Sequence, residues 1–286
     1  MWTIARLTFR EMFNKKILFL GLALTVAYLV LYGVGLHYTA KGMSKVSDYL
    51  VILTGSQFLT AGIYVSALLV SAITVFTAVG ALSSEIENGI IQAIVAKPLR
   101  RRDIYLGKYI GLGLVLTGYS LLVFIANVLI VYLTMGFKSD DYIGAGVLFT
   151  LVPLVLLAIT LWGSSFLSTL ANGIIVFILY SLSLVGGIVE QVGLHLSSMA
   201  GVHAGQQVTT GLTNTGVISS LIMPVDSIYR LVNYLLVAKS EVPIQVTMFN
   251  PFATMAPPSS YMLVYTGLYL LVFILWGIKI FSQRDI

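Results

Sequence analysis

The 286 residues are 58% hydrophobic and only 9% charged, with a mean hydropathy of +0.97 and a net charge of +5, and no water-soluble core of this length hides so much apolar surface. The surplus must face lipid, which excludes a soluble fold. There is no cysteine, which excludes a disulfide framework, thiolate metal ligation and a cysteine nucleophile.

In chain order, residues 1–16 come first. At helical spacing Trp2, Ala5, Phe9, Met12 and Phe13 share one side, while Thr3, Arg6, Arg10 and Asn14 share another. This pattern suits a helix lying in the inner interface of a membrane, with Arg6 and Arg10 as its interface residues. The apolar run 17–36 is too long for the core of a secretory signal and no small-x-small cleavage site follows it, so it reads as a retained first span.

Six runs are long enough at about 1.5 Å per residue to cross a hydrocarbon layer: 17–36, 57–82, 104–134, 143–163, 171–189 and 260–281. With the N-terminus inside, the inner segments hold eleven Lys and Arg against five acids, and the outer segments hold five against six. The positive-inside rule then puts both termini in the cytoplasm, as expected for the inner membrane. The stretch 216–236 is apolar enough for a seventh span, but it contains Asp226 and Arg230 and would carry Lys279 and Arg284 outside. Residues 190–259 are therefore expected to form one outer segment holding an amphipathic or re-entrant helix. The fold class is all-α integral membrane: a single transmembrane domain of six helices, with an N-terminal interfacial helix and a cytoplasmic helix between spans 2 and 3.

That cytoplasmic loop, 83–103, is the most informative stretch. Ser84 and Glu87 have the spacing of a capping box and predict a helix start. Ile86, Ile90, Ala93, Ile94 and Lys97 give the helix an apolar stripe, and Pro98 ends it before the basic run Arg100, Arg101, Arg102. Taken alone, the basic run also serves as an anchor to anionic lipid, and Glu85 and Glu87 are also favourable simply as acids at a helix N-terminus. Composition does not separate these roles from contact with a partner.

The arrangement Glu85-x-Glu87-x-Gly89, Pro98-Leu99-x-Arg101 and Ile104-x-x-Gly107-Lys108 resembles the first cytoplasmic loop of type-2 ABC transporter permeases. The family often has Thr after the Gly, where this chain has Ile90. The resemblance implies a coupling helix that docks in a groove of a separate ATP-binding subunit, with Glu85, Glu87, Gly89, Ile90, Ile94, Pro98 and Arg101 as contact residues. It also implies a unit of two permeases, as homo- or heterodimer, and two ATPases, with ATP and magnesium bound in the partner and no cofactor here. Export is the family's commoner direction. A second segment, Pro224-Val225-Asp226-Ser227-Ile228-Tyr229-Arg230, is similar to a motif of the branch containing the permease for nitrous-oxide reductase copper-site maturation, although Met223 stands where that branch usually has Asn. Physically, Asp226 and Arg230 form an i, i+4 pair, worth about 0.3–0.5 kcal/mol if exposed and more at a dehydrated outer gate.

Absences narrow the rest. The chain has no G-x-x-x-x-G-K-[ST] loop to cradle phosphates, and no charged residue deep in any predicted span to couple transport to an ion, so energy must arrive through a partner. Asn127, Gln57 and Asn172 are the deepest polar residues, and for Asn127 an interhelical hydrogen bond is the expected role. His195 and His203, with Glu190 near them, lack a compact ligand motif, and no metal site is expected. Gly107-x-x-x-Gly111 with Gly113 predicts a close helix-packing face. No catalytic constellation or nucleic-acid partner is indicated. An ATP-independent channel or membrane scaffold is the rival class, and charge-free spans supply it no polar pore lining.

Overall fold

The computed structural model describes residues 1–43, 47–89, 100–199, 206–238 and 258–284, and among these every regular element is helical. Eleven α-helices follow one another: α1 (Trp2–Met12), α2 (Lys16–Gly42), α3 (Asp48–Ala78), α4 (Ser83–Glu87), α5 (Arg101–Met135), α6 (Tyr142–Phe149), α7 (Leu151–Ser164), α8 (Thr169–Met199), α9 (Gln206–Ile222), α10 (Val225–Asn233) and α11 (Ser260–Gln283). A π-helical turn, Tyr234–Ala238, extends α10. Six stretches are long and apolar enough to cross a membrane, one over each predicted run. Lipid is the natural neighbour of α2 and α11, whose exposed residues include Leu20, Leu24, Leu31, Val264, Leu271 and Leu275.

The core centres on α7, where Val152, Val155, Leu156, Leu157, Ala158 and Leu161 are fully enclosed by α3, α5 and α11. The fourth span is two helices rather than one. Pro153 has no amide to give and its ring crowds the carbonyl four residues back, at Phe149, which is where α6 ends. Asp141 caps the start of α6 by accepting from the Gly144 amide at 2.8 Å.

Three spans meet at Asn127, which is wholly buried on α5. Its Oδ1 accepts from Tyr28 of α2 at 3.0 Å and its Nδ2 donates to Ser66 of α3 at 2.7 Å. The side chain is thus an interhelical tie, as expected, since an amide left alone in hydrocarbon would forfeit its hydrogen bonds.

The face formed by Gly107 and Gly111 is occupied by α1. At Gly111 an added Cβ would stand 2.6 Å from the Ala5 carbonyl oxygen and 2.8 Å from Thr8 Cβ, so only glycine permits this approach. The apolar side expected for α1 is consequently divided: Ala5, Thr8 and Met12 are buried in the protein, whereas Trp2, Phe9 and Phe13 stay exposed beside Arg6 and Arg10. Arg101, at the start of α5, donates to the carbonyls of Ser282 and Arg284, and Arg284 donates to Ser165 at 2.8 Å. Both chain ends and the loop between α3 and α5 therefore share one end of the bundle.

At the opposite end, α8 runs on to Met199 instead of stopping at Val189, and α9 packs back along it. The stretch 216–236 is not a continuous helix, because it breaks at Met223-Pro224 between α9 and α10. This break lies deep: the Met223 carbonyl accepts from Ser183 of α8 at 2.6 Å, and the Ile222 carbonyl accepts from Tyr269 of α11 at 2.7 Å. α9 and α10 form a helical hairpin whose turn is satisfied by side chains of two spans, which is how irregular backbone survives away from water.

Gly111→Val is expected to push α1 off α5 and destabilise the protein by about 1–3 kcal/mol. Gly118→Ala is the control on the same helix, because an added Cβ there meets nothing within 4 Å. Thermal unfolding and proteolysis of the N-terminal segment check this; equal behaviour of the two variants would show that α1 is not held by this contact.

Candidate functional site

A helix does begin in the loop after α3, at Ser83, but its first turn follows directly on the turn before it. The amides of Ser84 and Ile86 are already bonded to the Gly80 and Leu82 carbonyls, so the orphan donors that a capping box satisfies are absent. The expected Ser84–Glu87 box does not form. The Ser84 hydroxyl instead donates back to the Gly80 carbonyl, and Glu87 is released for another task. Among the described residues α4 ends at Glu87 with Asn88 as its C-cap, and Gly89 turns the chain with φ +70°, a conformation that glycine adopts without strain; the rest of the expected helix lies outside the described residues. Ile90, Ile94 and Pro98 lie outside the described residues.

Glu87 reaches across to the start of α8, where its carboxylate accepts from the Thr169 amide at 3.2 Å and faces the Thr169 hydroxyl at 3.4 Å. An acid is well placed there, because a helix start presents unpaired amides and the positive end of its dipole. Ser83 bonds the same Thr169 hydroxyl at 2.8 Å, and the Ser164 hydroxyl at the end of α7 accepts from the Leu82 and Ser83 amides at 3.1 and 2.9 Å. Asn172 completes the junction by donating to the carbonyls of Val79 and Thr160, at 3.1 and 2.9 Å.

Glu85 turns the other way, into the bundle. Its carboxylate meets Lys108 Nζ of α5 at 2.5 Å, and Lys108 also donates to the Ala81 carbonyl at 2.6 Å. Only 6% of the Lys108 side chain is exposed, so this is a buried ion pair. Residues 79–89 thus tie α3, α5, α7 and α8 together at the end of the bundle that also holds the chain termini.

The second concentration of charge lies at the far end. Asp226 and Arg230 sit on one face of α10, as their spacing predicts, with Arg230 Nε 2.9 Å from Asp226 Oδ2. They are not a self-sufficient pair. Glu190 of α8 meets Arg230 Nη1 at 2.6 Å, and the Ser220 hydroxyl accepts from Nη2 at 3.2 Å. Asp226 and Arg230 are buried and Glu190 is partly so, and a Cβ at Gly187 would collide with the Asp226 carboxylate, so the hairpin docks where α8 has no side chain. Burial pushes the Asp226 carboxyl up to about 6, with Arg230 pulling it down and Glu190 adding to the rise. Glu190, considered beside His195 and His203 in the sequence, is engaged by Arg230 instead; His203 lies outside the described residues.

Between these ends, α3 and α8 border an apolar groove of about 710 Å³ lined by Leu68, Val75, Phe76, Ile174 and Phe177. The buried hydroxyls of Ser71 and Tyr180 line it side by side and have no other partner among the described residues.

Lys108, Thr169, Ser164 and Glu190 are among the members of these clusters that sequence reasoning did not single out as site residues. Lys108 stood in the quoted motif but resembled one more inner-side anchor. Glu190 is forty positions from Arg230, beyond any local spacing rule. The family described as ABC-2 family transporter protein matches residues 2–286 of the chain. No curated protein matches it.

Removing either partner of the Glu85–Lys108 pair strands a buried charge, so Glu85→Gln and Lys108→Met are each expected to cost about 3–5 kcal/mol, and the double variant to recover much of it. Unfolding of the four proteins in detergent checks this. Additive losses would mean that the two residues act separately.

Proposed function

The chain belongs to the ABC-2 transporter family, and on that footing we propose that it is a permease subunit moved by a separate ATP-binding subunit at the end where the termini lie. In this reading that end is cytoplasmic, the membrane is the inner membrane, and the working unit holds two permeases and two ATPases. ATP and magnesium belong to the ATPase; this chain supplies the path and the moving parts, and transport runs outward.

The observation that carries the reading is the double tie of α4. Through Glu85 it grips α5, through Glu87 and Ser83 it grips α8, and through Ser164 it grips α7. A push delivered to 83–103 therefore reaches four spans by hydrogen-bonded and ionic contacts, with no need for a long relay. The buried Lys108 pair gives that transfer stiffness, because separating the two groups would strand both charges. Ile90, Ile94, Pro98 and Arg101 remain the proposed contacts on the ATPase, with Glu87 as the residue that turns contact into movement of α8. The groove between α3 and α8, bordered by two of the spans so moved, is the proposed path for cargo, and Asp226 with Arg230 forms the proposed outer gate. The motif around Pro224 and Arg230 supports placement beside the copper-site maturation permeases.

The test is assembly with a cognate ATP-binding subunit in lipid nanodiscs. Glu87→Ala combined with Ile94→Ala is expected to lower ATPase activity severalfold, toward that of the free subunit, while membrane insertion is unchanged. Full activity in the double variant would overturn the assignment of this loop. Conductance or cargo leakage through liposomes holding the chain alone, without ATPase, would favour the rival channel reading.

A further inference from the structure

The far-end cluster does not balance its charge. Glu190 and Asp226 are two carboxylates, and Arg230 is the one cation within ion-pair distance of either among the described residues. The other groups that neighbouring elements bring toward it are uncharged: Tyr64 of α3, whose ring lies 5.2 Å from that of Tyr229; Tyr180 of α8; Tyr229 and Asn233 of α10; and Ser219 and Ser220 of α9. Tyr265 and Tyr269 of α11 are occupied by the Leu221 and Ile222 carbonyls. Asp226 and Arg230 are 6% and 5% exposed and the Glu190 side chain 12%, so little water reaches Asp226 to make up the difference. A surplus negative charge in so dry a place is relieved by taking up a proton.

We propose that the cluster is a proton-binding site, with the proton on Asp226, and that the α9–α10 hairpin docks fully on α8 only while the proton is held. Arg230 Nε stands 2.9 Å from Asp226 Oδ2 without the alignment of a hydrogen bond, so the Asp226 carboxyl can hold a proton while Glu190 retains the guanidinium charge at 2.6 Å. Loss of the proton leaves a net charge of minus one pressed against the backbone of α8 at Gly187, where no side chain separates the two. Undocking the hairpin admits water to that charge. The far-end mouth of the protein is thus sensitive to acidity, whatever partner drives it.

The sign follows from linkage. The folded chain keeps a proton that the unfolded chain releases at the ordinary carboxylate value, so stability falls as pH rises from about 4 through the folded value near 6, and levels off above it. The experiment is thermal unfolding of the full chain in detergent at pH 5 to 8, with no nucleotide or partner. The midpoint of the natural chain is expected to drop by about 5 °C over that range. Asp226→Asn and Glu190→Gln each remove the surplus charge, and each is expected to flatten the slope; if one fails to fold, the other carries the test. Hydrogen exchange across residues 210–222, corrected for its intrinsic pH dependence, is expected to accelerate at least tenfold from pH 5 to 8 in the natural chain and in neither variant. A merely structural cluster would lower the midpoint on substitution and leave its pH slope unchanged. The same slope in both variants as in the natural chain, or hairpin protection that does not respond to pH, overturns the proposal.

Discussion

Hydrocarbon offers a backbone amide or a charged side chain nothing to bond to, and the architecture of this chain follows from that constraint. Six helices close their own backbone bonds and turn leucine, valine and phenylalanine outward. At two departures from regular helix inside the bundle, the α3–α4 junction and the turn at Met223, side chains complete the backbone. Ser164 serves the amides of Leu82 and Ser83, Asn172 the carbonyls of Val79 and Thr160, and Ser183 and Tyr269 the turn at Met223. Small hydroxyl and amide side chains, scattered through apolar helices, are the residues that make bends possible.

Charge is handled by the same economy and is gathered at the two ends. Near the termini, Lys108 and Glu85 neutralise one another between the loop and α5; at the far end, Arg230 is shared by Glu190 and Asp226 between α8 and the hairpin. Neither arrangement adds much stability over an apolar one, since desolvation offsets most of the attraction. What such groups impose is register, because sliding one element past another would separate charges with no water to receive them. The two clusters are joined by α8, one unbroken helix with Thr169 at its first turn and Glu190 toward its other end. At about 1.5 Å per residue it spans some 45 Å, with the Glu87 contact at its first turn and the Arg230 contact toward its other end.

Much of this was legible in the linear pattern. The six spans follow from runs of apolar residues, the division of basic residues predicts that both ends share a side, and Asp226 and Arg230 were expected together because four residues make one helical turn. The capping box at Ser84 misled for an identifiable reason: its spacing says nothing about whether the preceding turn has already used the donors that a cap would satisfy. The apolar side of α1 was read only in part. Periodicity distinguishes apolar from polar faces, but it does not distinguish protein from lipid as the neighbour, and Ala5 and Phe9 went to different ones.

The sequence by itself determined what is local and additive: membrane residence, the number of spans, the hairpin's polar interruption and the absence of a nucleotide-binding loop. Hydropathy, charge bias and helical spacing act over a few residues and need no knowledge of what lies across the bundle. Only the tertiary structure decided the pairings. Glu87 with Thr169, Glu85 with Lys108, and Glu190 with Arg230 are separated by eighty-two, twenty-three and forty positions, and each depends on which helices lie side by side and how closely glycine lets them approach. A carboxylate in a sequence carries no mark of its counter-charge. That mark appears only once packing has removed the water and left a particular cation, or too few of them, within reach.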